Sequence, residues 1–447
     1  MNRLRRAVAL VSLVAMAPVV LGCSVHRTAS SGGLEAPDRV VNRGADADRG
    51  VTTSTITIGV VAYRQDSFAQ FGLSSLGGRP AAQLLKPLVD DLNAHGGVAG
   101  RQVKVAVSEF SPLVPAEAQT ACIDQADDKK AFVTLAEVSL TDDAQERCLA
   151  AHQTPVLTSN SSSEADLVGD AGWVHQITMS KDRMFKDWVD WLVASGTATP
   201  ATKIGLLHAD TPEDNALVAN VFEPYLKQKG LKLAAQAGFS GVTLASAAVD
   251  AQNATQRLRD AGVNLVLPDL DFLRTFLFLQ GSNTARLAVS DLGEMSLGVA
   301  TSFYPATFAG TRGITAYTAD LTGTGTGAVS PTLQACLNTA QSEGQSLPST
   351  GLDRLADVLQ VAQFCEQLAL VAHVASLAGP HLNRASFSDA FDRVTNWSDR
   401  VTLTAPLTFG PAKYAGADSY RVIEWRADCG QGDSCYVQLA PYTKGRW

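Results

Sequence analysis

The residues able to do chemistry in this 447-residue chain stand apart from one another. His95, His152, His175, His208, His373 and His381 occur singly, without the spacing that sets two imidazoles on one helix face for a metal. The nucleophile elbow Gly-x-Ser-x-Gly, the Ser-x-x-Lys pair, the His-Glu-x-x-His helix and the dinucleotide glycine fingerprint are all missing. What is left is hydrogen bonding at polar loops. These are Tyr63 at the head of the loop to Leu76, the group Glu137, Ser139 and Thr141, the run Ser159-Asn160-Ser161-Ser162-Ser163, and Asp291 within Ser290 to Glu294. Hydroxyls and open backbone N–H groups at a helix start cradle a carboxylate or another anion. Ser139 and Thr141, ahead of Asp142 and Asp143, serve equally well as helix caps. Such groups bind and orient but do not activate a nucleophile. The chain reads as a non-enzyme with no call for a cofactor or a metal.

Each of these loops follows a run of strand type. Ile56, Ile58, Val60 and Val61 form one, Val103, Val105 and Val107 alternate with polar neighbours in a second, and Ala131–Ala136 and Pro155–Thr158 supply two more. Helices stand between them. One begins near Pro80, whose fixed φ suits a first turn, carries Leu84, Leu85, Leu88, Val89 and Leu92 on one face, and stops at Gly96-Gly97. Ala116–Asp127 and Asp142–His152 follow the same pattern. The series restarts with a strand at 203–208, a helix at 215–229, a strand at 233–237, a helix at 251–260 and strands at 263–267 and 287–290. Trp188 and Trp191, on the helix before this restart, read as core. Strands alternating with helices of about ten residues mean parallel βαβ construction, with ligands at the carboxyl ends of the strands. Leu352–Leu377 is a long helix apolar on most sides. The Gly-Thr stretch from Leu321 to Pro331 lacks the Gly-Lys-Ser/Thr ending of a phosphate loop.

Composition sets the class. A hydrophobic content of 46% with 18% charged residues is that of a globular chain with ample core, long enough for two lobes or two to three domains. A formal charge of −8 makes it a poor partner for nucleic acid. At the N-terminus Arg3, Arg5 and Arg6 precede an apolar stretch from Ala7 to Val20, too short for a membrane span. Val20-Leu21-Gly22-Cys23 resembles a bacterial lipobox. The resemblance implies a lipoprotein signal peptide over residues 1–22, a lipid on Cys23, and a protein anchored to the outer side of the cell membrane. Residues 23–51 then form the lipidated Cys and a flexible Ser/Gly/Ala/Asp-rich linker. Six cysteines remain and fall into three local couples, Cys122 with Cys148, Cys336 with Cys365, and Cys429 with Cys435, expected as disulfides in an exported protein.

Leu92-Asn93-Ala94-His95-Gly96-Gly97-Val98-Ala99-Gly100-Arg101 resembles the signature near the start of the Leu/Ile/Val-binding (branched-chain amino acid ABC transporter) branch of periplasmic substrate-binding proteins. The run from Pro406-Leu407-Thr408-Phe409-Gly410 to Tyr420–Trp425 resembles that family's terminal hairpin, and Thr158-Ser159-Asn160-Ser161 looks like one of its carboxylate-holding loops. The resemblance implies an α/β protein of two Rossmann-like lobes with parallel-sheet cores joined by three crossovers, the type I periplasmic-binding fold. Lobe 1 would comprise 52–178 and 304–400, and lobe 2 would comprise 179–303 and 401–447. It also implies capture of an amino acid or similar small polar molecule between the lobes, by a monomer that hands it to an ABC permease. Two departures stand out. Asp210-Thr211-Pro212-Glu213-Asp214 replaces the family's acid followed by Tyr-Gly, and Arg274 stands at the spacing of the acid that meets a ligand ammonium. Asp269 or Asp271, nearer the strand end, could substitute. The same fold with a degenerate cleft, acting as an envelope sensor or as an activator of a cell-wall enzyme, is the alternative.

Overall fold

The computed structural model describes residues 48–64, 66–67, 79–111, 114–136, 144–241, 244–271, 274–275, 277–279, 309–316, 331–341, 347, 351–398, 406–427, 435–440 and 442–446. Its first sheet is built on β1 (Thr55–Tyr63), buried throughout from Ile58 to Tyr63. A strand reads as a continuous apolar run when helices cover both faces of its sheet. β2 (Gln102–Phe110), β3 (Val133–Ala136), β4 (Val156–Thr158) and β5 (Val174–Gln176) complete five strands in the order β2-β1-β3-β4-β5. Every pairing is parallel. α1 (Ala81–Ala94) follows Pro80 and buries Ala81, Leu84, Leu85, Leu88 and Val89, each worth about 1.5–3 kcal/mol for the larger side chains. Its return turn needs glycine: Gly97 has φ +68°, and a Cβ there would lie 2.0 Å from the Arg101 carbonyl oxygen. α2 (Pro115–Ile123) and α3 (Ala144–Ala151) are joined by the Cys122–Cys148 disulfide, with Cα atoms 6.2 Å apart. α4 (Glu164–Gly169) follows β4.

The chain then passes to a second sheet. α5 (Lys181–Ala194) starts at an N-cap, Ser180, and buries Met184, Phe185, Trp188 and Leu192. Trp188 is wholly buried with Trp191 stacked on it at 5.3 Å, so both tryptophans serve packing. β6 (Lys203–Ala209), α6 (Pro212–Leu217), α7 (Glu223–Gln228), β7 (Lys232–Phe239), α8 (Leu244–Asp260) and β8 (Leu265–Asp269) form a parallel three-stranded sheet, order β7-β6-β8, with its helices. The strand expected at 287–290 lies outside the described residues, as does the Gly-Thr stretch from 321 to 330.

The remaining elements are β9 (Arg312–Thr315), α9 (Pro331–Ala340), α10 (Gly351–Ala378), α11 (Arg384–Ala390), β10 (Ser419–Arg426), β11 (Cys435–Gln438) and β12 (Thr443–Lys444). α9 and α10 are joined by Cys336–Cys365, with Cα atoms 6.5 Å apart. The third couple includes Cys429, outside the described residues. By length and composition α10 could cross a membrane. It is a core helix instead: it packs on α1, α9 and α11 and carries the buried polar residues Asp357, Gln363, Glu366 and Gln367. Asp357, fully buried, accepts hydrogen bonds from Arg79 N at 2.7 Å and Arg79 Nε at 2.8 Å, just before α1 begins.

The C-terminal part differs from the expected hairpin. Leu407 pairs with Trp397 and Ala417, and Ala415 pairs with Gln176 at the edge of the five-stranded sheet. β10 instead pairs antiparallel with β9, β11 and β12. Residues 312–315 and 419–426 therefore share one sheet, although the expected lobe boundaries separate them. Tyr414 and Gly416, expected in lobe 2, hydrogen-bond to Gln176 at the edge of the first sheet. Partners this distant in sequence are chosen by tertiary packing, which a local pattern does not encode.

Candidate functional site

The carboxyl ends of β1 and β4 in the first sheet carry the polar residues Tyr63 and Thr158–Ser163. Tyr63 ends β1, buried against Phe110 with ring centroids 5.1 Å apart. Ser139 and Thr141, after β3, lie outside the described residues. β4 ends at Thr158, whose hydroxyl donates to Glu146 Oε1 at 3.1 Å and accepts from Asn160 N at 3.0 Å, while the Asn160 amide donates to the same Glu146 oxygen. That buried carboxylate fixes the turn. Between these anchored residues Ser159 is 0% exposed, and its Oγ has no hydrogen-bond partner among the described residues. Leaving a buried hydroxyl so is unfavourable, though far less than leaving a buried charge. Ser161 Oγ donates to Met179 O at 3.0 Å and Thr178 Oγ1 at 3.3 Å, which ties the loop to the crossover leading into α5. Sequence reasoning missed Gln367. Its amide, from the buried side of α10, donates to Ala136 O at 3.2 Å and Leu157 O at 3.4 Å and so fastens the helix to β3 and β4.

The strand ends of the second sheet are charged. Lys181 opens α5, and its Nζ lies 2.9 Å from Asp214 Oδ1 and 3.8 Å from Asp269 Oδ2. Asp214 is placed by the start of α6. Thr211, the N-cap, accepts from Asp214 N at 3.1 Å and donates to Asp214 Oδ2 at 2.9 Å. Asp269 ends β8, is 5% exposed, and its Oδ2 accepts no hydrogen bond from the described residues. Burial pushes its carboxyl up to about 6; Lys181 opposes that rise and Asp214 adds to it. Burial also raises Asp214, but the charge and hydrogen bond of Lys181 outweigh it and hold that carboxyl below its usual value. His208, buried in β6, donates from Nδ1 to Ala209 O at 2.9 Å. Asp182 accepts from Glu164 N at 2.8 Å, and burial raises its carboxyl.

The structure thus brings Asp269 into a cluster whose other charged members, Lys181 and Asp214, the sequence did not single out as a site. Asp271 is engaged differently. Its two oxygens accept from Arg274 N at 2.9 Å and Arg274 Nη1 at 2.6 Å, a local pair at the next helical turn. Asp291 lies outside the described residues. The run Asp210–Asp214 was legible only as a departure from the family's acid followed by Tyr-Gly. That Lys181 reaches both Asp214 and Asp269 was not, because nothing local relates the three.

Arg183, two residues after Lys181 on α5, is 5% exposed and fastens the start of that helix to residues 415–418. It donates to Ser180 Oγ at 3.1 Å, Ala415 O at 2.8 Å and Ala417 O at 3.2 Å, and pairs with Glu164 at 2.9 Å and Asp418 at 2.5 Å. Beside it lies a cavity of about 220 Å³ bounded by Glu164, Leu167, Lys413 and Tyr414. Among the described residues, metal-type donors converge only at Cys122, Cys148 and His152, and both sulfurs are in a disulfide, which leaves no thiolate to bind a cation.

No curated protein matches the chain in sequence. In structure it is similar to a fatty acid ABC transporter substrate-binding protein from Thermomonospora curvata (TM-score 0.66, 15% identity, 91% of this chain and 96% of that one). It is also similar to an ABC transporter solute-binding protein from R. palustris in complex with 4-hydroxybenzoate (TM-score 0.64, 14% identity, 88% and 98%). A branched-chain amino acid ABC transporter protein from Thermus thermophilus with bound valine is a further likeness (TM-score 0.63, 13% identity, 88% and 98%). At such identities the likeness is one of fold, the type I periplasmic-binding arrangement of parallel α/β lobes. A family model described as periplasmic binding protein matches residues 55–279, half of the chain. The chain therefore belongs to the periplasmic binding protein family, which implies a location outside the cytoplasm.

Proposed function

We propose that this protein is a solute-binding lipoprotein, tethered through Cys23, that captures a small polar molecule between its two lobes and hands it to an ABC permease. One observation carries the reading. Two buried polar atoms, Ser159 Oγ and Asp269 Oδ2, lack a hydrogen-bond partner among the described residues and sit at strand ends of two different sheets. They are linked by a short path: Ser161 bonds Thr178 and Met179, which lead through Ser180 to Lys181 beside Asp269. In α/β sheets the carboxyl ends of strands are where ligands lie, and groups that a solute would satisfy are what a binding site keeps open. Tyr63, Ser139, Thr141, Ser161, Asp271 and Asp291 complete the proposed lining. The relatives hold valine, 4-hydroxybenzoate and leucine or are called fatty acid binders, a range that supports a small solute and leaves its class to the site's own chemistry.

A thermal-shift screen of the protein from Val51 onward tests this, with amino acids, hydroxy acids, aromatic acids, small amides and sugars at millimolar concentration. A solute at a hundred times its dissociation constant stabilises the fold by about 2.7 kcal/mol. A hit supports capture. Silence across the panel, with the protein folded, favours the sensor or activator reading.

A further inference from the structure

We propose that residues 442–446 are a strap whose hold on α5 is set by the protonation of Asp187, firm when that carboxyl is neutral and loose when it is charged. The inference does not depend on the solute-binding reading. At one end, Tyr442 Oη donates to Ala316 O at 2.9 Å and lies 3.2 Å from Ser419 O, while Thr443 and Lys444 pair with Tyr420 and Ser419 of β10. Gly445 N donates to Asp418 O at 2.6 Å. At the other end, Arg446 N donates to Asp187 Oδ1 at 3.3 Å, and its guanidinium lies 3.8 Å from Asp190. Glycine is required at 445, because a Cβ there would stand 2.3 Å from Asp187 Oδ2. The strap thus holds α5 and β10, the elements entered from the crossovers at 177–180 and 415–418, and touches Ala316, where the chain leaves β9.

Asp187 is the weak point of this joint. It is 1% exposed, the one hydrogen bond at its Oδ1 is long, and its Oδ2 accepts none from the described residues. The groups that face it do little for its charge. Asp190, one turn on, is a second carboxylate, itself held by Lys229 Nζ at 2.5 Å and by the Tyr225 hydroxyl at 2.8 Å. Arg183, one turn back, is bonded to Ala415 O, Ala417 O and Asp418, and Asp418 also pairs with Lys413. Lys444 and Arg446 are exposed to water, and the nearby Tyr420 brings no charge. Arg183 and Arg446 favour the carboxylate from a distance, but burial, with Asp190 adding to it, pushes the Asp187 carboxyl up to about 6. With the strap lifted, Asp187 meets water on the side that Gly445 and Arg446 cover, and its carboxyl returns towards the ordinary value. Docking therefore takes up a proton. It is favoured most below about pH 4, and that advantage is lost as pH rises through about 6.

The test is amide hydrogen exchange of the whole protein at about pH 4.5 and about pH 7.5, with rates corrected for the intrinsic effect of pH and the amides of β1 in the same sample as the reference for global opening. Relative to β1, protection of the Gly445 and Arg446 amides should fall about ten-fold from the lower to the higher pH. Asp187→Asn, which keeps an acceptor and cannot titrate, should remove that dependence. Gly445→Ala, which sets a methyl group against Asp187, should leave both amides poorly protected at either pH. A fall of less than three-fold, protection that rises with pH, or a dependence that survives in folded Asp187→Asn overturns the proposal. Should Asp187→Asn not fold, Gly445→Ala decides: protection equal to that of the parent at the lower pH overturns it as well.

Discussion

The strand ends of the two sheets differ in the kind of buried polar group that each leaves unsatisfied among the described residues. In the five-stranded sheet, Thr158 and Asn160 are pinned on a single buried carboxylate, Glu146, and the unpartnered group between them is a neutral hydroxyl, Ser159. In the three-stranded sheet the open group is a carboxylate, Asp269, held at a distance from a lysine that is already bonded elsewhere. A neutral hydroxyl without a partner costs little and is insensitive to pH and salt. A buried carboxylate without one costs more and titrates. One half of the proposed site is thus set by hydrogen-bond geometry and the other by charge, and the two should respond to different perturbations.

The largest effect is expected from Glu146→Ala. It strips the acceptor from Thr158 and Asn160 together and should destabilise the protein by about 2–4 kcal/mol, read by urea denaturation. Asp214→Ala should cost less, about 1–2 kcal/mol, because Lys181 keeps Asp269 as a partner. Its loss should be pH-dependent. The folded carboxyl is held below 3.8, so its contribution is present above that value and disappears as pH falls through the folded pKa; parent and variant should converge in strong acid.

Asp269→Asn has the reverse sign. The folded carboxyl titrates at about 6 against 3.8 ordinarily, so between about pH 4 and 6 the folded state holds more protons and stability falls as pH rises. The amide variant lacks that loss and should be more stable above pH 6 by about 1–2 kcal/mol, with no gain below pH 4, as thermal melts across that range would show. The smallest effect is Ser159→Ala, which removes an unsatisfied hydroxyl and should shift the stability of the free protein by less than about 1 kcal/mol while weakening solute binding. A large loss of stability in Ser159→Ala would dissolve the contrast between the halves.

Much of the fold was legible because βαβ units are local. The alternation of Val103, Val105 and Val107 and the apolar face of α1 each lie within a dozen or so residues, and the turn at Gly96-Gly97 needs glycine whatever surrounds it. The C-terminal part was not, since Leu407 bonds to Trp397 and Ala417 and β10 to β9, across separations where many registers are equally open to a strand-like sequence. The site divides the same way. Hydroxyls after β4 and an aspartate at the end of β8 are visible as polar residues following apolar runs. Lys181 beside Asp214 and Asp269 unites three segments, and Gln367 is one polar residue in a helix whose composition reads as apolar core. Their roles come from tertiary contact alone.

The central claim is that one small molecule bridges the neutral and the charged strand ends. It is tested most directly by calorimetric titration of the solute found by screening into the parent protein, Ser159→Ala, Asp269→Asn and the double variant. The account predicts that each single substitution, one in each sheet, weakens binding at least ten-fold while both proteins stay folded, and that the double variant binds no more tightly than either. Unchanged affinity in both single variants would contradict it and put the solute, if one binds, elsewhere on the molecule.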